Sequence, residues 1–130
     1  MRFFAAVTLL CFFTLGLAVA QAPGDYDGQW TSDQSGDSGK FHCSLKKSGD
    51  SWDSSAYFVY QGEKIIGSPK STKVDGSKLE MVFEYEIGGM TLHSVMTGEW
   101  TGNTLEGKYA SKSSDESPVD TGTWKVTRPE

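Results

Sequence analysis

Thiols, imidazoles and clustered positive charge are what this chain has least of. Two cysteines occur in 130 residues, Cys11 and Cys43, and two histidines, His42 and His93. Cys11 lies in an N-terminal apolar run, so once that run is removed Cys43 is alone and no intramolecular disulfide can form. The fold must then rest on its core. Twelve Lys and Arg are spread thinly against seventeen Asp and Glu, a formal net charge of −5. Nucleic acid and anionic membranes need basic patches, and this acidic surface offers none. The spacings of zinc sites and nucleophile elbows are missing too: there is no H-x-x-x-H, C-x-x-C or G-x-S-x-G. Beyond the N-terminal apolar run, no stretch repeats apolar residues at helical spacing over ten positions, which argues against helices.

What is present begins with a leader. Arg2 precedes an apolar run, residues 3–19, that ends in Ala18-Val19-Ala20. A short positive start, an apolar run and a small-x-small site are the pattern of a signal peptide. A cut after Ala20 is expected, because a cut after Ala22 would put Pro23 at the scissile bond. The run is short for a span of about 20 residues, and Cys11 follows Leu9-Leu10 rather than a lipobox. The expectation is a signal peptide, 1–20, and one domain, 21–130, secreted or periplasmic. Without Arg2 the remainder has 11 basic and 17 acidic side chains, which suits a soluble exported protein.

Fourteen of the fifteen glycines follow the leader, most of them between short alternating stretches. This is an all-β pattern. In residues 78–87, Leu79, Met81, Phe83, Tyr85 and Ile87 share one face, and Lys78, Glu80, Glu84 and Glu86 the other, with Val82 the exception. Gly88-Gly89 is a two-residue hairpin signal. The partner stretch, 90–100, puts Met90, Leu92, Ser94, Met96, Gly98 and Trp100 on one face. Asp75-Gly76 and Gly102-Asn103 mark further turns. Phe41, Cys43 and Leu45 share a face, as do Trp52, Ala56, Phe58 and Tyr60, then Leu105, Gly107 and Tyr109, then Trp124, Val126 and Arg128. Pro69 cannot donate to a ladder, so 65–74 should carry a bulge or break. With the strand around Trp30 there are eight. Residues 32–38 and 112–121 read as longer polar connections. Eight sequential strands with tight turns predict an antiparallel up-and-down barrel, because closure removes two edges and encloses the apolar face. A two-sheet sandwich is the competing arrangement.

Gly28-x-Trp30 in the first strand and Arg128 late in the last resemble the signature of calycin barrels: lipocalins, fatty-acid-binding proteins and avidins. The resemblance implies that Trp30 closes one end of the barrel with Arg128 across its indole. A narrower likeness covers almost the whole chain after the leader. The opening G-x-W, the hairpin from Asp75 to Phe83, the hairpin from Thr97 to Gly107 and the terminal G-x-W-x-x-x-R from Gly122 to Arg128 resemble a largely uncharacterised group of small secreted bacterial proteins of lipocalin-like type. These are turn and packing motifs, so they specify fold better than function. "GQWTSD" and "WKVTR" also resemble avidin locally. Ser32 stands where avidin has a biotin-binding asparagine, and the later tryptophans fall in no matching context.

Candidate chemistry is sparse. By parity His42 and His93 face outward. Cys43 reads as a small buried hydrophobe. Asp33, Ser35 and Asp37 faintly resemble a calcium loop, but the glycine is displaced and Ser44 stands where a closing glutamate belongs. Asp115, Glu116 and Asp120 read as a solvated acidic loop. Glu80, Glu84 and Glu86 lie on an outer face, where paired carboxylates lack the cleft that glycoside hydrolysis needs. No enzyme and no cofactor or metal is expected. The inward set is Trp30, Phe41, Leu45, Phe58, Tyr60, Met81, Phe83, Tyr85, Leu92, Met96, Trp100, Leu105, Tyr109, Trp124 and Val126. Such a barrel is either filled by its side chains or holds one small ligand. Small residues at Ser94, Gly98 and Gly107 could leave a void, which is the argument against a filled core. If there is a ligand site, its walls are Phe58, Tyr60, Phe83, Tyr85, Met96, Trp100 and Tyr109. The leading expectation is a binding module for a small apolar or amphipathic molecule. The other is a filled barrel that meets an extracellular protein through loops 32–38 and 112–121.

Overall fold

The computed structural model describes residues 22–129; the expected signal peptide lies outside them. The alternating stretches form eight strands: β1 (Gly24–Ser32), β2 (Ser38–Ser48), β3 (Ser51–Tyr60), β4 (Glu63–Asp75), β5 (Lys78–Ile87), β6 (Met90–Thr101), β7 (Thr104–Ser113) and β8 (Pro118–Thr127). Each pairs antiparallel with the next, and β8 returns to β1, so the sheet is a closed barrel rather than a sandwich.

Local chemistry sets the details. Gly88 and Gly89 are both left-handed, at φ 59° and 80°, the backbone that a two-residue primed hairpin requires. The β4–β5 register slips between Pro69 and Ser71, where proline has no amide to give. The stretch 112–121 is mostly not a loop. β7 runs to Ser113 and β8 starts at Pro118, because a barrel's outer face accepts the polar residues that make this stretch read as irregular. Asp115 holds the turn between them, accepting from the Ser113 hydroxyl and, at 3.2 Å, from the Ser117 amide.

The seam that closes the barrel pairs Gly28 with Val126 and Trp30 with Trp124. At Gly28 the strands come too close for a side chain: a Cβ there would lie 1.9 Å from the Lys125 carbonyl oxygen. The glycine of G-x-W is therefore a requirement of closure.

Alternate turns share an end. Turns 49–50, 76–77 and 102–103 meet both ends of the described chain at one end of the barrel, where large side chains gather. There Trp52 and Trp100 lie 5.9 Å apart. The Trp100 indole donates to the Tyr26 hydroxyl at 2.9 Å, and that hydroxyl donates to the Ala22 carbonyl at 2.5 Å. Leu45, Leu79, Leu105 and Val126 are buried around them. Arg128 belongs to this floor. Its amide donates to the Asn103 carbonyl at 2.8 Å, and its guanidinium to the Asn103 side-chain oxygen at 3.0 Å. It does not lie across Trp30, as the resemblance implied. Trp30 pairs with Trp124, four residues back along β8, about 13 Å of strand rise away.

Of the three small inward residues, Ser94 borders open space, but Gly98 and Gly107 do not. The Trp124 ring fills the space at Gly98, so that a Cβ there would meet the ring at 2.6 Å. Its indole N–H is shared between the Thr97 and Lys108 carbonyls, 3.2 Å from each. The bare strand at Gly98 is what admits so large a ring, while Gly107 lets β7 lie close to β6: a Cβ there would fall 1.8 Å from the Thr97 carbonyl oxygen.

Candidate functional site: the open half of the barrel

Above Trp124 the barrel is open. A cavity of about 510 Å³ lies under turns 33–37 and 88–89. Six of the seven expected wall residues line it: Phe58, Tyr60, Phe83, Tyr85, Met96 and Tyr109. The seventh, Trp100, is in the floor and does not. Parity assigns a side chain to the inside of a barrel but not to a height within it. Trp30 is a wall residue rather than a plug. Its indole donates to the Val59 carbonyl at 3.1 Å and packs edge-on against Phe58, with ring centres 6.3 Å apart. Tyr60 is 6.2 Å from the same indole, and Phe58 meets Tyr85 edge-on at 5.1 Å. Inward-facing Phe58, Tyr60, Tyr85 and Tyr109 are only half-buried, as rings that border open space must be. Ile87, Met90 and Val119 edge the opening, and Met90 and Val119 are exposed.

A band of polar groups crosses this apolar wall. Asp120 accepts from the Ser32 hydroxyl at 2.7 Å and from the Tyr109 hydroxyl at 2.8 Å. Ser111 pairs with Asp120 across β7–β8. Its hydroxyl joins those of Ser94 and Tyr85 in a closed triangle, with Tyr85 at 2.9 Å from each serine. The Tyr109 phenol is held far above its usual titration range by burial first and then by the Asp120 carboxylate. It therefore stays a proton donor. Ser32, Ser111 and Asp120 are functional candidates that the sequence reading missed, although each continues the inward parity of Trp30, Tyr109 and Trp124. It missed Tyr26 too. Asp120, which reads as a loop residue in the sequence, is an inward residue of β8.

The remaining candidates lie elsewhere. Burial first, then Asp27 and Asp25, push the Cys43 thiol up to about 12, so it is a protonated filler below the cavity. His42 sits on the outer wall, 2.8 Å from Asp27 and stacked on Tyr57 at 5.0 Å. His93 lies 3.3 Å from Glu116. Neither lines the cavity, and Glu84 on the outside of β5 meets Lys70 at 3.7 Å. In the 33–37 turn, Ser32 accepts from the Gln34 and Ser35 amides. Among the described residues no three His, Cys, Asp or Glu side chains gather as a metal site would need.

No family model, curated protein sequence or solved structure matches the chain.

Proposed function

We propose that this protein is a secreted, non-enzymatic barrel that carries one small apolar or amphipathic molecule in its open half. The observation that carries the reading is the cavity of about 510 Å³. It lies within the roughly 300–1,000 Å³ range of small-molecule sites, and aromatic and aliphatic side chains wall it. Its exposed apolar rim, Met90 and Val119, gives such a molecule a way in. The likeness of Gly28-x-Trp30 and the terminal G-x-W-x-x-x-R to lipocalin-like barrels supports the same conclusion, and the leader supports export. A cavity of this size favours the carrier reading over the competing one, a filled barrel acting through its loops. The test is native mass spectrometry of the protein purified without denaturation from cells that produce the full chain. A reproducible added mass that is lost on denaturation is the expected result. A bare chain that also takes up no apolar probe would refute it.

A further inference from the structure

The polar band inside the cavity has a sign. Among the described residues that line the cavity none is Lys, Arg or His, whereas Asp120 and Asp37 are both there. An anionic headgroup would find no counter-charge inside.

Proton bookkeeping sharpens this. Tyr85, Ser94 and Ser111 have three hydroxyl protons and form three mutual hydrogen bonds. Each proton is thus used within the triangle. The protons of Ser32 and Tyr109 go to Asp120, and that of the Trp30 indole goes to the Val59 carbonyl. The Tyr60 hydroxyl, which accepts from Gln61, is at the exposed rim. Gln34 and Ser35 keep side-chain donors in the exposed 33–37 turn, which also holds Asp37. Below that rim the hydroxyls and the indole have spent their donors, and only acceptors are left. A carboxylate has about four lone-pair sites, and two on Asp120 remain open. Aromatic rings surround the space beneath, and ring faces attract cations.

We propose that the cavity selects a molecule with an apolar body and a protonated amine, whose N–H groups meet Asp120 while the body lies among Trp30, Phe58 and Tyr85. The proposal rests on the carrier reading and narrows it to one ligand class. A fatty-acid-like anion is rejected.

The experiment holds the tail constant and changes the head. Decylamine (ammonium at neutral pH), 1-decanol and decanoate are titrated calorimetrically into the stripped protein at low and moderate salt. Decylammonium is expected to bind roughly ten- to a hundredfold more tightly than decanoate, the range of a charge-assisted hydrogen bond. Asp120→Asn should bring decylammonium down to the level of 1-decanol. Equal affinity for all three would overturn the charge selection and leave the carrier reading standing. Tightest binding of decanoate would overturn it as well. Binding of none would overturn both. The wild-type ranking decides the matter even if the variant folds poorly.

Discussion

Replacing Gly28 by alanine should loosen the barrel at the seam between its first and last strands. The added Cβ would fall 1.9 Å from the Lys125 carbonyl oxygen and 2.7 Å from the Val126 Cα, and contacts under 3.0 Å do not survive. Both obstacles are backbone, so no side chain can swing aside. β1 and β8 must part by about 1 Å, enough to break two or three of the ladder bonds between them. At about 1 kcal/mol per hydrogen bond, the loss is roughly 2–3 kcal/mol. Domains of this size have about 5–15 kcal/mol in all, so the melting temperature should fall by roughly 10–20 °C. Circular dichroism during heating and urea unfolding measure both quantities. Gln29→Ala is the control: the next residue on the same strand is exposed, and its truncation should cost less than about 0.5 kcal/mol. If Gly28→Ala unfolds within that margin of wild type, the account of the seam as a steric minimum is refuted.

Two further outcomes are expected. Cys43 makes stability fall at alkaline pH. Its thiol titrates near 9.0 when unfolded and about 12 when folded, so between those values only the unfolded chain has released the proton, and unfolding gains by up to about 1.4 kcal/mol per pH unit. Urea titrations from pH 8 to 10.5 should show stability flat below about 9 and declining above it, with a smaller decline in Cys43→Ala; an identical slope in both would contradict the assignment. Ala56 is buried at the cavity wall, and Ala56→Leu should fill part of the space. A bound apolar probe should then lose about tenfold in affinity, since each buried methylene contributes about 0.8 kcal/mol, while the melting temperature moves by no more than a few degrees; unchanged affinity would place the ligand elsewhere.

How far the sequence is legible depends on which coordinate of the barrel is asked for. The face of each strand is written in period two, and for that reason parity alone assigns Phe58, Phe83 and Met96 inward. Height is written less directly. Trp100 and Phe58 have the same parity and comparable bulk, yet one seals the floor and the other lines the cavity. The clue is adjacency to turns: in an up-and-down barrel alternate turns share an end, and Trp100 lies beside turn 102–103 while Tyr60 lies beside turn 61–62. The Arg128–Trp30 pairing implied by resemblance fails on the same coordinate, since the strand rise between them is too long for the guanidinium to cover the indole.

The polar residues are hidden for a different reason. A search for inward positions that looks for apolar side chains passes over Ser32, Ser111 and Asp120, and a run such as "SKSSDESPVD" reads as solvated loop. Yet hydroxyls and a carboxylate at inward parity are costly unless they are paired, so their presence inside a barrel says more about selection than the rings around them do. Aromatic walls would accept any apolar tail of suitable size. Asp120, with two acceptor sites open and no neighbouring cation in the cavity, is what distinguishes one head from another. For a small barrel whose turns and glycines account for its shape, the informative residues are therefore the polar ones that interrupt an otherwise apolar parity.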